Sequence, residues 1–498
     1  MEIDLSVLPS LFVEALAYWW VIIPATVLGI VVGAIPGFSA ANTIIILLPL
    51  TLSMSAEAGM IFMVAIYTAS RLGAGIPAIL VNIPGTAGAA ATPLDGYPMS
   101  TSGRGQQALA ISFTASVLGG LLTTLMALIL IPWLSQVAFH LHSVEMIVVM
   151  LFGISLIATI SADDTLKGLI AGFFGLMIGY IGADVVYEAP RGTFGFLELY
   201  DKVPLIPALV GLFAISEAFV VIERRVVLSD SDDGIKVAPG WAATFEGIRD
   251  TLVRWKHVVW TGMLGLVIGV IPGAGAAIAS FVAYQQSRIF SKTPELYGTG
   301  HVEGLIAPES ANNGVTSGTL IPLLIIGVPG GATAAIMAVV LEYHGVQFGP
   351  DLFESNPLVG YGPFVAMAIT YVLLGLLILP LTRYFSNVLV VPTIYIAPII
   401  IAFTLVGSFV PRAYVFDMGV AIVFGIIGYI ARKTGYHVAA ILIGVILGPL
   451  LENFFLRALR ISQGDLMTLF SSNIGNVLWV LLVASLFAAP LKRKLAGR

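Results

Sequence analysis

Long apolar runs separated by short polar stretches follow one another along the whole chain. A membrane-spanning helix needs about 20 apolar residues, and many of the runs reach that length. Others are too short to cross alone, so we expect half-helices or paired pieces and roughly 11–12 crossings in total. The runs fall at about 11–35, 42–52, 58–82, 108–134, 143–160, 166–186, 204–222, 257–288, 319–341, 361–382, 387–409, 415–431, 436–451 and 474–491. The pattern predicts an all-α polytopic membrane protein.

Pro-Gly pairs interrupt four of these regions, and the interruptions come in two matching sets. "LGIVVGAIPGFSAA", from Leu28, resembles "LGLVIGVIPGAGAA", from Leu264. Further along, "GAGIPAILVNIPGTA" from Gly73 matches "GTLIPLLIIGVPGGA" from Gly318. The predicted helix breaks are Pro36 and Gly37, Pro84 and Gly85, Pro272 and Gly273, and Pro329 and Gly330. Two matches in the same order predict an internal duplication.

A basic stretch, 223–256, separates the two copies, and the positive-inside rule places it in the cytoplasm together with the C-terminal "KRKLAGR". No Lys or Arg precedes Arg71, so we expect the N-terminal region on the other side. The copies then form inverted repeats with re-entrant-like segments: 1–222 is the first repeat, 223–256 the linker, and 257–498 the second repeat with C-terminal helices. Such repeats with broken helices indicate a secondary transporter whose site lies near the bilayer midplane.

Composition strengthens the membrane assignment and removes several classes of function. The chain is 58% hydrophobic and 10% charged, with a mean hydropathy of +0.99, which is too apolar for a soluble protein of this length. There is no basic patch for nucleic acid, and the absence of cysteine excludes disulfides and thiolate chemistry. Hydrolase, metalloprotease and Walker A motifs are also missing from the sequence. We therefore expect a protein that is not an enzyme, with no catalytic residues and no cofactor.

Residues that follow the breaks are candidates for substrate binding. A half-helix that begins in the membrane presents free N–H groups and a partial positive charge, which suits a carboxylate. The alternative is a proline kink with glycines for close packing, but four breaks in two matching pairs favour a binding site. The substrate-binding candidates are Ser39, Ala40, Asn42, Arg71, Thr86, Ala274, Gly275, Gly331 and Thr333.

Polar side chains near the second breaks are candidates for ion binding. Hydroxyl, amide and carbonyl oxygens are suited to Na+, which is the only metal that we expect; a proton is the alternative coupling ion. The ion-binding or site-lining candidates are Asn82, Glu309, Asn312, Asn313, Thr316 and Ser317. We expect "PESANNGVTSG" to be a re-entrant or site-lining stretch. Asp95, Arg104, His301 and Glu303 are expected to be loop residues rather than ligands.

Arg71 lies inside an apolar segment, where an arginine is costly and normally faces a cavity or a partner. Its planar guanidinium matches a carboxylate. A substrate contact, a buried pair with an acid such as Glu309, and a snorkelling side chain all remain open.

These stretches resemble the large membrane subunit of bacterial tripartite tricarboxylate transporters, the TctA family. The matching segments include "GAIPGFSAANTIIILLPLTL", "IPAILVNIPGTAGAAATPLDGYP", "GVIPGAGAAIASFVAYQQSR" and "GLIAPESANNGVTSGTLIPLLIIGVPGGATAAI", and they span about 28–350. The resemblance implies a small four-helix membrane subunit and a periplasmic substrate-binding protein as partners, carboxylate substrates, and coupling to sodium or protons. "YTASRLGAG", 67–75, departs from a glycine-rich "YYGAxYGGS"-like family segment, and Gly331 stands where a serine is common.

The function expected from all this is a binding-protein-dependent permease subunit in the bacterial inner membrane. It imports an organic di- or tricarboxylate by Na+ or H+ symport with alternating access. A passive channel for small organic anions and a membrane-embedded enzyme are the alternatives. The sequence leaves open the particular carboxylate, the coupling ion, and the choice between a monomer and a homodimer.

Overall fold

A computed structural model describes residues 7–35, 39–138, 140–160, 165–183, 189–224, 241–271, 275–384 and 396–483. The described chain is almost entirely helical, with one two-stranded antiparallel pairing of β1 and β2. The elements are α1 Leu8–Ala17, α2 Trp19–Gly33, α3 Ala40–Ile46, α4 Leu48–Leu52, α5 Ala56–Gly73, α6 Gly75–Val81, α7 Pro93–Met99, α8 Gly105–Ala138, α9 Ser143–Ile160, α10 Thr165–Gly179, β1 Gly182–Ala183, β2 Pro190–Arg191, α11 Leu205–Val210, α12 Ser216–Arg224, α13 Trp241–Val253, α14 Trp255–Val270, α15 Gly275–Phe290, α16 Val302–Ile326, α17 Ala332–Tyr343, α18 Leu352–Ser355, α19 Pro357–Gly360, α20 Gly362–Tyr384, α21 Ile396–Phe409, α22 Val415–Lys433 and α23 Val438–Ile461. This bears out the all-α prediction.

The chain forms two compact units. The first contains residues 1–133 and 221–399, and the second contains 134–220 and 400–498. Because the units are interleaved along the chain, they do not coincide with the expected repeats 1–222 and 257–498, whose boundaries remain a prediction. In the second unit α23 packs along α10 and α9, and Arg432 forms an ion pair with Glu217 at 2.7 Å.

Two helix pairs in the first unit are built in the same way. Gly29 and Gly33 of α2 face the backbone of α5 so closely that a Cβ atom at either position would collide with it. Gly265 and Gly269 of α14 face the backbone of α16 in the same manner. Small residues at such positions allow two membrane helices to approach closely. The repeated sequence motifs therefore correspond to repeated packing.

The two described breaks also share their backbone geometry. α6 ends at Asn82 with φ 59°, and α16 ends at Gly327 with φ 75°, so both helices end in the left-handed region. Equivalent hydrogen bonds follow: Ile83 N–H to Pro77 O (3.2 Å) and Gly85 N–H to Ala74 O (3.2 Å), then Val328 N–H to Pro322 O (3.2 Å) and Gly330 N–H to Thr319 O (3.3 Å). The backbone groups freed by each break are thus satisfied inside the protein. The inverted orientation of the copies remains a prediction.

The segments that follow the breaks pair crosswise between the copies. α3, which comes after the first break of the first copy, packs against α17, which comes after the second break of the second copy. α15 correspondingly packs against a 3₁₀ turn, Ala87–Ala89, that follows Pro84 and Gly85. Pro36, Gly37, Pro272, Gly273 and Ala274 lie outside the described residues.

Several helices are long and apolar enough to cross a membrane. Five meet the requirement within the described residues, or up to six if α1 and α2, bent by 75°, form one broken span. They are Ala56–Leu80, Pro93–Gln136, Gly362–Arg383, Val415–Lys433 and Val438–Ile461. Shorter apolar helices of 10–17 residues accompany them, including Asn473–Val483. The protein is a membrane protein, and the expected 11–12 crossings remain a prediction.

The stretch "PESANNGVTSG" lies in the middle of α16, where every residue from Gly304 to Ile325 is buried. It is a continuous helix, although Pro, Gly and Asn are weak helix formers. Gly314 and Gly318 explain this, because they lie against the backbone of α14 and allow the helix to be stabilised by tertiary packing. The end of the expected linker is also helical and forms α13, whose Gly247 lies against the backbone of Gln107 in α8.

Candidate functional site

Arg71 occupies the centre of the candidate site, in the last turn of α5. Its guanidinium donates through Nη1 to Asn312 Oδ1 (3.1 Å) and through Nη2 to the Tyr67 hydroxyl (3.0 Å), and it lies 4.9 Å from the centre of the Tyr67 ring. Tyr67 in turn is 3.3 Å from the hydroxyl of Thr319. Among the described residues Arg71 forms no ion pair, so the pair with Glu309, one of the three possibilities left open by the sequence, is not seen there. A half-buried guanidinium held by neutral partners keeps its full charge available for an anion.

The turn that follows the first copy's second break forms a wall of this site. A Cβ atom on Gly88 would collide with Asn312 Oδ1 and would come within 2.6 Å of Arg71 Nη1. The Ser280 hydroxyl of α15 donates to the carbonyl of Gly88 at 2.5 Å. Because glycine leaves no side chain here, backbone, guanidinium and amide approach one another closely. Both copies therefore contribute to one small polar region.

Several buried polar atoms of the candidate residues have no hydrogen-bond partner among the described residues. They include Asn312 Nδ2 and the hydroxyl oxygens of Thr86 and Thr316. The oxygen of the Asn312 amide accepts a hydrogen bond from Arg71, so its NH₂ group is a free donor beside a cation. Buried polar groups are rarely left unpaired unless a ligand, an ion or water satisfies them. Donors of this kind suit the oxygens of a carboxylate.

Glu309 lies one turn before Asn312 on α16 and is fully buried. Its carboxylate accepts hydrogen bonds from the hydroxyls of Thr92 (2.5 Å) and Ser116 (2.7 Å). Ser112, one turn before Ser116 on α8, faces the same carboxylate. In the described part of the chain no basic side chain forms an ion pair with Glu309.

Asn313, Thr316 and Ser317 occupy the same buried segment of α16. Asn313 donates to the carbonyl of Glu309 (3.0 Å) and accepts from Tyr371 (3.3 Å), while Ser317 donates to the carbonyl of Gly314 (3.1 Å). Asn313 and Ser317 are therefore engaged within the protein. Asn82, in contrast, has an exposed side chain at the end of α6.

The remaining candidates form a second group around α3 and α17. Ser39 caps α3 by accepting a hydrogen bond from the Asn42 N–H (3.3 Å), and Ala40 and Asn42 are buried in that helix. Gly331 has an extended backbone before α17, and Thr333 lies buried in the first turn. Gly330 packs against Thr319, the residue that contacts Tyr67, so this group adjoins the Arg71 region. Gly275 begins α15 with φ 69°.

Asp95 differs from the expectation of a loop residue. It lies in α7, fully buried, and its carboxylate accepts from the backbone N–H groups of Gly298 (2.9 Å), Gly300 (2.8 Å) and His301 (2.7 Å) and from the Tyr284 hydroxyl (3.0 Å). Backbone N–H groups compensate a buried carboxylate well. Asp95 thereby fixes α7 to the loop that precedes α16.

The sequence alone did not identify Tyr67, Gly88, Thr92, Ser112, Ser116 or Ser280 as site residues. Two local signals were available. Tyr67 precedes Arg71 by one helical turn, and Ser112 and Ser116 share one face of a mostly apolar helix. The other contacts join residues far apart in the chain, and only the fold brings them together.

Comparison with known proteins supports the resemblance drawn from the sequence. The chain is 34% identical over 451 residues to an "uncharacterized 52.8 kDa protein in TAR-I ttuC' 3'region" of Agrobacterium vitis, covering 90% of this chain and 88% of the relative. It is also 37% identical over 209 residues to an "uncharacterized protein in TAR-II ttuC' 3'region" of the same organism, covering 42% of this chain and 86% of the relative. No solved structure matches it.

The sequence model of the tripartite tricarboxylate transporter TctA family matches residues 20–443 of this chain. This range includes α3, the Arg71 region and the whole of α16. The chain therefore belongs to the TctA family of tripartite tricarboxylate transporters, as its Pro-Gly breaks and the "PESANN" segment predict.

Proposed function

We propose that the protein is the membrane permease subunit of a binding-protein-dependent secondary transporter in the bacterial inner membrane. It imports an organic di- or tricarboxylate by cation symport with alternating access. Its partners are a periplasmic substrate-binding protein and a small four-helix membrane subunit, and the 223–256 stretch and the C-terminus face the cytoplasm. Family membership supports the transporter class; the substrate, the coupling and the partners are our proposal.

The observation that carries the proposal is the guanidinium of Arg71. A charged arginine in a membrane helix is costly unless it serves a site or has a partner. Here its described hydrogen-bond partners, Asn312 and Tyr67, are neutral. A carboxylate of the substrate would supply the missing negative charge and could bond the guanidinium in two places. The free NH₂ group of Asn312 and the Thr86 hydroxyl would hold further oxygens.

Uptake into proteoliposomes tests the function directly. The chain is reconstituted with its small membrane subunit, and the binding protein is added outside with radiolabelled citrate as the probe, followed by other di- and tricarboxylates. We expect accumulation above the equilibrium level when an inward Na+ or H+ gradient is imposed, and its collapse with the matching ionophore. Flux that only follows the citrate gradient would instead indicate a channel. Recovery of a chemically altered product would indicate an enzyme.

Substitution of Arg71 tests the residue-level part of the proposal. Arg71→Lys keeps the charge but removes the planar fork, so we expect citrate uptake to fall roughly tenfold or more, as for loss of a bidentate charged contact. Arg104→Lys is the matched control. The hydrogen bonds of Arg104 in the described structure run to the Ser102 hydroxyl and the Gly300 carbonyl, and neither belongs to the Arg71 site. Unchanged uptake by Arg71→Lys would make Arg71 a structural residue.

A further inference from the structure

The buried carboxylate of Glu309 has no counter-charge in the described part of the protein, and three hydroxyl groups surround it. Thr92 and Ser116 donate to it at 2.5 and 2.7 Å. The third hydroxyl, that of Ser112, is buried beside the same carboxylate but makes no well-formed hydrogen bond with the described residues. A fully buried carboxylate is costly unless a positive charge neutralises it.

Gly75 of α6 packs directly against this group. A Cβ atom there would lie 2.7 Å from the Ser112 hydroxyl oxygen and 3.2 Å from Glu309 Oε1. Both oxygens thus lie next to each other against Gly75. Two carboxylate oxygens and three hydroxyl oxygens, each with lone pairs to spare, form the kind of all-oxygen ligand set that hard cations prefer.

We propose that Glu309, Thr92, Ser112 and Ser116 bind a sodium ion. A proton would neutralise Glu309 without needing three hydroxyls, whereas a sodium ion needs several oxygen ligands and would engage Ser112, whose hydroxyl lies beside the carboxylate without a well-formed hydrogen bond. This inference rests on the proposed function in one respect, since it identifies the coupling ion of the symporter. It differs from the sequence expectation, because the amides of Asn312 and Asn313 are not among the ligands.

The position of the site explains how sodium would promote substrate binding. Its ligands come from α16, from α8 and from Thr92 at the start of α7. Thr92 ends the short segment that contains Gly88, which lies against Arg71 and Asn312. A cation that holds α16, α8 and this segment together therefore stabilises the wall of the carboxylate site. Each ligand then favours binding of the other, as linkage requires.

Sodium binding to the purified full-length chain tests the proposal without any carboxylate. Thermal unfolding is followed while NaCl replaces choline chloride at constant ionic strength, and binding of ²²Na+ is measured in parallel. We expect the unfolding temperature to rise saturably with sodium but not with potassium. Glu309→Gln should abolish the rise and the ²²Na+ binding. Ser112→Ala should increase the half-saturating sodium concentration roughly tenfold, which corresponds to loss of one ligand.

Two controls make the outcome decisive. Thr114→Val, on the same helix, removes a buried hydroxyl that bonds only its own helix at Ala110 (2.7 Å) and should leave sodium binding unchanged. Ser112→Ala removes no well-formed hydrogen bond of the described structure, so it decides the matter if Glu309→Gln fails to fold. Absence of saturable sodium binding, or wild-type binding by Ser112→Ala, would overturn the proposal. A stabilisation that depends on pH and not on sodium would do the same.

The result is separable from the test of transport. If sodium binds as expected but citrate is not accumulated, the proposed function fails while this site stands. If citrate is accumulated on a proton gradient and sodium does not bind, this site alone is refuted.

Discussion

Helices α5 and α16 are equivalent elements of the two copies, yet they carry different chemistry. Each packs on a glycine-lined helix, α2 or α14, and each is followed by a Pro-Gly break with the same hydrogen bonds, in the case of α5 after the short helix α6. α5 supplies the cation Arg71, whereas α16 supplies the acid Glu309 and the amide Asn312. Duplication thus provides the scaffold twice, and side-chain divergence gives the two copies unequal shares of the site.

Both copies contact the guanidinium of Arg71. Tyr67 and Asn312 occupy equivalent positions, separated by the same spacing that relates Pro77 to Pro322, and both accept a hydrogen bond from Arg71. Two equivalent positions, one in each copy, therefore bind a guanidinium that belongs to the first copy alone. In the proposed function this arrangement makes the substrate site depend on the relative position of the copies, as alternating access between repeats requires.

The largest effect should come from placing an acid at position 312, where α16 contacts Arg71. Asn312→Asp would give Arg71 a permanent internal carboxylate that competes with the substrate, so we expect citrate uptake to fall roughly 100-fold. Tyr67→Phe, at the equivalent position of α5, only removes one hydrogen bond to the charged group and should cost roughly tenfold. Both are measured as initial uptake rates in proteoliposomes at matched protein content. Equal losses in the two variants would mean that Arg71 does not act as an anion site.

The turns that follow the two second breaks should respond very differently to an added methyl group. Gly88→Ala would push against Arg71, Asn312 and Ala276, so we expect uptake to fall at least about tenfold through displacement of the site. Gly331→Ala, in the other copy, has an extended backbone and only the Thr319 methyl group at 3.9 Å, so its effect should stay within about twofold. A larger loss of uptake for Gly331→Ala than for Gly88→Ala would indicate that the substrate binds beside α17 instead.

The glycines on α2 and α14 should affect stability rather than transport chemistry. Gly33→Ala would collide with the backbone of Ser70, and Gly269→Ala would come within 2.8 Å of the Val315 carbonyl. Overpacking of this kind costs about 1–3 kcal/mol, and the tighter Gly33 contact should cost more. Thermal unfolding in detergent measures the difference. Gly375→Ala is the control, since its nearest neighbour is the Val117 side chain at 3.4 Å.

The sequence predicted the features that depend on local pattern. Apolar runs predicted the helices, and the duplicated Pro-Gly motifs predicted the breaks after α6 and α16. The helical state of "PESANNGVTSG" could not be predicted, because its weak helix formers are stabilised by packing on α14. The partners of Arg71 and Glu309 could not be predicted either, because they are distant in sequence. Asn312 is 241 residues from Arg71, and Thr92 is 217 residues from Glu309.

Substitution of Asn82 should have the smallest effect on uptake and stability, and it distinguishes a ligand role from a backbone role for this residue. The sequence suggested a site-lining role, but its side chain is exposed and its φ of 59° matches the 75° of Gly327 at the equivalent position. If Asn82 is needed only for this left-handed conformation, Asn82→Gly should leave citrate uptake unchanged. Asn82→Ala should lower the stability by about 1 kcal/mol, because alanine is strained there. Thermal unfolding and uptake of both variants separate the two roles, since a ligand role requires that Asn82→Gly reduce uptake while the stability remains close to that of the wild type.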